Sequence, residues 1–486
     1  MSRLDSALSL FAAAAVLTTT LAGCRDATMP TRPLAPRAPS RTELPASPVV
    51  NSLGDPGPGS CSDSECTLRG AIAFASTGAT ITFNVTGTIV LAQGELLIDK
   101  DLTIAGPGAS QLQVDGANSS REFEIAAGAT VSISGVTLQN GSVPDPTAPF
   151  GAGIRNFGTL TLTNSVVSHN GTTGEGGGIH NTGGVLTIVG STISANFAGN
   201  GGGIMNAHGT AFITNSTISG NFGGLGGGMQ NAGLMRIINS TIAGNSVGNQ
   251  GGQGSGIANT GETVMINTIV ANDPAGGNCF QPITTDGGFN IEDGTTCGFT
   301  AVTSHSNANP GLDPAGLLSN GGPTPTIGLL LGGLAVDLIP PGVNGCGTTI
   351  AIDQRGVARP FGSGCDVGAY ELDFKGFLPP INNVRTTPIH PGKGVPIQFI
   401  LGGDHGLAIF ASGSPSSAQI ACPLSDGSGD DVPTVTAGNS QLSYDPSTDT
   451  YTYVWKTDKA WAGTCRRLFV TFADGSVHRA DFSFDR

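Results

Sequence analysis

Gly176-Gly-Gly-Ile179-His-Asn181, Gly201-Gly-Gly-Ile204-Met-Asn206 and Gly226-Gly-Gly-Met229-Gln-Asn231 are three copies of one phrase. Gly151-Ala-Gly-Ile154-Arg-Asn156 precedes them and Gly254-Ser-Gly-Ile257-Ala-Asn259 follows, so the asparagines recur at 25, 25, 25 and 28 residues. A second phrase runs in step. Leu160-Thr-Leu-Thr-Asn-Ser-Val-Val-Ser-His-Asn170 returns as Leu186-Thr-Ile-Val-Gly-Ser-Thr-Ile-Ser-Ala-Asn196, then at 211–221 and 235–245, with a worn copy at 263–272. Each unit holds two or three strand-length runs broken by Gly or Asn, and no run reaches helix length. A unit this short cannot bury its own apolar residues, so identical coils must stack. The reading is all-β: a right-handed parallel β-helix. Ile154, Ile179, Ile204, Met229 and Ile257 are expected to form one inward ladder, and Ile193, Ile218 and Ile242 another. Asn156, Asn181, Asn206, Asn231 and Asn259 are expected to align at corners, each amide bonding the next coil while its backbone takes a left-handed turn. About nine coils between residues 78 and 305, at ~4.8 Å each, make a rod ~43 Å long. A β-propeller has longer units, of about 40–50 residues.

Composition agrees. Gly supplies 76 of 486 residues, only 12% are charged, and the net charge of −14 argues against nucleic acid as a partner. At the N-terminus a short apolar run ends in Leu21-Ala-Gly-Cys24, an export signal too short to span a bilayer. Its last four residues resemble the bacterial lipobox. The resemblance implies cleavage after residue 23, diacylglycerol on Cys24 and, with Arg25 next, sorting to the outer membrane, where the lipid anchors the chain to the cell surface. Residues 24–60 form a proline-rich linker with extended polyproline character. Cys24 aside, eight of the nine cysteines fall into neighbours along the chain: Cys61 with Cys66, Cys279 with Cys297, Cys346 with Cys365, Cys422 with Cys465. Eight cysteines permit 105 connectivities, and an exported chain permits disulfides.

Beyond the linker, residues 61–308 carry an N-terminal cap and the β-helix. Leu68, Ala71, Ile72 and Ala75 mark one face of a short helix just before the first strands, suited to cover an open solenoid end. Cys66-Thr-Leu-Arg-Gly-Ala-Ile72 resembles the CSLREA motif that precedes many bacterial β-helices. Residues 309–373 are similar to the choice-of-anchor Q domain, through Asn309-Pro-Gly-Leu-Asp-Pro314, Ser319-Asn-Gly-Gly-Pro-Thr-Pro-Thr326, Asp353-Gln-Arg-Gly-Val-Ala-Arg-Pro360 and Cys365-Asp-Val-Gly-Ala-Tyr-Glu371. That family closes β-helices, which implies a C-terminal cap; the family's glycine after Asp337 is absent here. Residues 374–486 alternate as strands and resemble the PxKF-type domain, with Gln398 in the place of its lysine. An immunoglobulin-like sandwich is expected, with Cys422–Cys465 bridging two sheets near Trp455 and a hairpin turn at Asp474-Gly475.

Many β-helices degrade polysaccharides, so catalytic groups matter. Between residues 151 and 272 the acids are Glu175 and Glu262, and the basic or imidazole groups are Arg155, Arg236, His169, His180 and His208. The two acids stand more than three coils apart, and the bases are read as sharing no phase of the repeat. A glycosidase needs paired carboxylates, and a lyase needs a base beside a cation site. Asp99, Lys100, Asp101, Asp115, Arg121 and Glu122 are the densest charges of the early coils. Asp353, Arg355, Arg359, Asp366 and Glu371 read as a structural network, and Asp426, Asp430 and Asp431 lack EF-hand spacing. The expected function is therefore a non-catalytic, adhesin-like or glycan- and matrix-binding surface scaffold, with no catalytic residue, metal or cofactor. The alternative is a polysaccharide lyase or glycoside hydrolase.

Replacing Cys24 by Ala is expected to release the protein from the membrane fraction or to block its processing. Unchanged, detergent-dependent membrane association of that variant rules the lipobox out.

Overall fold

A computed structural model describes residues 47–486 apart from 58–60, 63, 144–146, 148, 249–250, 272–275, 375, 384, 402–403, 405, 423–431, 434, 437–441 and 474–475, and leaves out the side chains of 432, 433, 435 and 436. The expected export signal, Cys24, residues 25–46 and 58–60 of the expected linker, the acids at 426, 430 and 431 and the Asp474-Gly475 turn lie outside the described residues.

The body is a parallel β-solenoid of about eight turns, built from three sheets. Within one coil the chain passes through sheet I (Ile154–Asn156), sheet II (Thr159–Thr163) and sheet III (Val166–Ser168). These ladders hold eight, ten and nine strands respectively. Both expected inward ladders are present. Ile154, Ile179, Ile204, Met229 and Ile257 pair in register, as do Ile193, Ile218 and Ile242, and all are fully buried.

The triple glycine has three separate causes. Gly176 has φ +66, a left-handed turn that costs an L side chain dearly. A Cβ on Gly177 would lie 2.3 Å from the Phe197 carbonyl oxygen, and one on Gly178 would lie 2.6 Å from that of Gly203. The first glycine turns the chain and the other two let the next coil approach.

The corner asparagines form a buried ladder: Nδ2 of Asn156, Asn181 and Asn206 each donates to Oδ1 of the next at 2.8 Å. Asn231 reaches Asn259 only at 3.5 Å, its Nδ2 donating more closely to the Thr263 hydroxyl at 2.9 Å. Their backbone is not left-handed, contrary to the expectation. They sit in or at the end of strands, and the positive φ falls instead on Asn164, Asn215, Asn239 and Asn267, at the corner from sheet II to sheet III. A second buried ladder, which the sequence reading did not single out, runs through Asn170, Asn196, Asn221 and Asn245.

The two ends close differently. Val49–Val50 adds a parallel strand to sheet II. Helix α1 (Leu68–Phe74) buries Leu68, Ala71 and Ile72 on the first coil, and the Thr67 side chain caps it by accepting from the Gly70 N–H. At the far end residues 294–308 cross the last rung: Cys297 is disulfide-bonded to Cys279, and Asp286 accepts from the backbone of Thr300 and Ala301. Residues 309–373 therefore do not act as an end cap in the simple sense. They lie along the outer flank of sheet III. Gln354 bonds the Thr192 and Thr217 hydroxyls, and the Ala369 N–H donates to Thr241. Ala243, Ile269, Ala271 and Ile291 of that flank share a core with Leu312, Ile327 and Ile339. The outward positions of sheet III turn apolar there because they are covered.

Residues beyond 374 fold as a five-stranded and a four-stranded sheet around Phe399, Tyr451, Trp455, Leu468 and Phe482. Cysteines pair as four local disulfides. Cys422–Cys465 does not bridge two sheets: Cys465 pairs with Ile420 across adjacent strands, so the bond joins neighbours of one sheet.

Asn206→Leu is expected to cost about 1–3 kcal/mol, because the Asn181 amide and the Gly209 and Leu234 carbonyls lose a buried partner. An unchanged denaturant midpoint sinks the idea that the ladder bears stability.

Candidate functional site

The register of sheet I sets Glu124, Arg155, His180, Met205 and Gln230 in one outward column. This corrects the expectation that the bases share no phase. Arg155 and His180 both occupy the fifth place of the Gly-x-Gly-Ile-x-Asn phrase and pair directly. Glu124 stands one coil earlier, outside the repeats that were counted. The other groups remain apart from this column. Arg236 and Glu262 belong to sheet II, while His169 and His208 occupy left-handed turns.

Charges in and beside the column have local partners, although the buried Arg155 Nε has no hydrogen-bond acceptor among the described residues. Arg121 pairs with Glu95 and, at 2.9 Å, with Glu124. It also donates to the carbonyls of Gly151 and Phe150, which ties the loop entering the next coil to this one. The Arg155 guanidinium lies 4.0 Å from Glu124 and packs over the rings of Phe150 and Phe157, at 5.4 and 4.5 Å from their centroids. His180 is buried, with Nε2 3.3 Å from the Glu175 carboxylate, Nδ1 2.6 Å from the Thr182 hydroxyl and its ring 5.0 Å from Phe150. Burial holds its pKa below the ordinary value although Glu175 pulls it up. The imidazole is thus neutral at neutral pH with both nitrogens engaged. Phe150 and Phe157 were not legible as part of this group from the sequence; the signal was their place on either side of the Arg155 phrase. Further along, Met205, Gln230 and Ala258 are buried.

The remaining clusters do structural work. Lys100 donates to the Ala73 and Ala75 carbonyls at the end of α1. Asp101 accepts from the Thr130 N–H, and Asp115 from Ala117, Gln139 and Asn140. In the flank segment Arg355 pairs with Asp353 at 2.9 Å and Asp373 at 3.3 Å, over the Tyr370 ring. Arg359 pairs with Glu371 at 3.0 Å. Burial, and then the Glu371 charge, pushes the Asp366 carboxyl up to about 7. Among the described residues no three of His, Cys, Asp and Glu come together to hold a metal.

Glu122 is different. It aligns with Gly153, Gly178, Gly203 and Gly228 of later coils, next to the interior space that Asn170 and its successors fill. In this coil the position of that asparagine is Gly141, and the Glu122 carboxyl takes the vacated volume: a Cβ on Gly141 would lie 2.6 and 2.7 Å from its oxygens. Neither oxygen has a hydrogen-bond donor, and the side chain is fully buried. Burial pushes its pKa well up, and the Asp115 carboxylate adds to this against the pull of nearby backbone N–H groups and Arg121. Burial thus favours the protonated form of Glu122.

No protein-family model, curated protein or solved structure matches the chain.

An acid with a raised folded pKa stabilises most below its unfolded pKa, and stability falls as pH rises toward the folded value. Glu122→Gln keeps the volume and removes the titration. It is expected to raise the denaturation midpoint at neutral pH and to flatten its decline as pH rises above the ordinary carboxyl range. Identical pH profiles for the variant and the unaltered protein contradict a neutral Glu122.

Proposed function

We propose that the chain is a non-catalytic, exported scaffold, lipid-anchored at the outer membrane through Cys24, that presents a solenoid for adhesion to a glycan or extracellular matrix. The observation that carries this reading is the engagement of the polar groups at and beside the sheet I column. Arg121 is spent on four partners and His180 on two, so neither offers a free group to a reacting bond in this arrangement. The lipobox, CSLREA-type, choice-of-anchor Q-type and PxKF-type resemblances, and the immunoglobulin-like character of the last domain, rest on the motifs quoted above. The four disulfides accord with an oxidising compartment.

One observation favours the second reading, a polysaccharide lyase or hydrolase. Glu124, Arg155, His180 and Glu175 converge on one face beside two aromatic rings, which is the composition such an enzyme needs.

Reducing-end and unsaturated-product assays on neutral and uronate polysaccharides separate the two. The full chain is expected to bind without turnover. Turnover that falls about tenfold or more in a still-folded His180→Gln variant puts the enzyme first.

A further inference from the structure

Columns of hydroxyl side chains run up this solenoid on both sheet II and sheet III, and the sheet III threonines have an occupant. On sheet III, Thr192, Thr217 and Thr241 are bonded by the protein's own flank segment, through the Pro325 carbonyl, the Gln354 amide and the Ala369 N–H. On sheet II, Thr80, Thr103, Ser132, Thr161 and Thr187 stand in register on five successive strands. They are half-buried, and among the described residues none of their hydroxyls bonds to another part of the chain. Further Ser and Thr flank them: Thr159-Leu-Thr-Leu-Thr163 places three hydroxyls on one strand's outer face.

The field is uncharged. No Asp, Glu, Lys or Arg occupies an outward position on the sheet II strands from Ala79–Phe83 to Thr210–Thr214, although the chain carries a net charge of −14. The column then passes through Phe212, which is 38% exposed, and reaches charge at Arg236. Beyond Lys100 and Asp101, at the turn into the Leu102–Ala105 strand, a polyanion or polycation finds no counter-charge on these strands. The complementary partner is neutral, rich in hydroxyls and repetitive. Successive hydroxyls are spaced by the coil rise of ~4.8 Å, close to the length of one pyranose in an extended β-linked chain. A glycan lying along the solenoid axis would thus meet one rung per sugar, and the Phe212 ring offers an apolar platform at the end of the row.

We propose that this outward Ser/Thr column of sheet II binds an uncharged, extended β-linked polysaccharide laid parallel to the solenoid axis; the proposal rests on the scaffold reading and names its ligand class and face. The test uses the full chain with cellohexaose, xylohexaose and hexagalacturonate as probes, followed by calorimetry at low and high salt. Thr161→Glu combined with Thr187→Glu places charge in the column without touching the core or the sheet I cluster. A neutral hexasaccharide should bind with little salt dependence, and the double variant should lose about tenfold or more in affinity. Phe212→Ala should weaken binding at an unchanged denaturation midpoint. Neutral-glycan binding that survives the double substitution overturns this face and leaves the scaffold reading standing. Preference for hexagalacturonate overturns the neutral-ligand assignment. Self-association that the double variant abolishes assigns the face to a second copy instead. Failure of the unaltered chain to bind any of the three overturns both the face and glycan binding.

Discussion

Everything in this fold depends on one coil sitting in register on the next. Backbone hydrogen bonding alone tolerates slippage between similar parallel strands. What fixes the register is the buried asparagine. Its amide must meet the amide of the next coil at 2.8 Å, and a shift of one residue would set the Asn181 amide against Met205 or Ala207 and leave it without its side-chain partner. The penalty for a buried polar group without a partner thus becomes the device that sets alignment. The glycine triplet serves the same end from outside, because its second and third members remove the side chains that would hold the coils apart.

That dependence explains why the repeat was readable. Residues buried for coil stacking recur with the coil, so Ile179, Asn181 and Gly178 announce themselves by spacing. What the sequence did not disclose is whatever breaks the period. The left-handed turns fall on Asn164 and its equivalents, not on the ladder asparagines, because both columns are asparagine and spacing cannot tell a turn from a ladder. The place of residues 309–373 was also hidden. In retrospect the outward Ser194 and Ser219 give way to Ala243 and Ala271 at the same register position, and a polar-to-apolar change on an outer face signals that something covers it.

The candidate site was half legible for a related reason. Arg155 and His180 share a phase that can be read directly from the two quoted phrases. Glu124 belongs to a coil whose phrase is Arg121-Glu-Phe-Glu-Ile125, too worn to be aligned by eye, and its membership appears only when Phe123 is paired with Ile154. Arg121 does not belong to the column at all. It reaches the column through a long side chain that also holds the Phe150–Gly151 backbone. Periodicity finds residues that repeat, whereas charge clusters are assembled from residues that do not.

The same worn coil shows how a repeat absorbs an exception. Placing Glu where later coils have Gly would overfill the corner, and placing Gly where they have Asn would leave a void. Glu122 and Gly141 make both changes together, so the volume is conserved while the chemistry is not. The asparagine amide bonds the coil on either side of it; Asn196, for example, accepts from the Asn170 N–H and donates to the Val167 carbonyl of one coil and to Asn221 Oδ1 of the next. A carboxylic acid can hold such a place only while it keeps its proton, since the ionised form has no donor and no solvent. The exchange lies at the boundary between irregular and regular coils, where the asparagine ladder begins. The ladder therefore starts at Asn170 because the coil before it fills the same space with an acid from the opposite side of the corner.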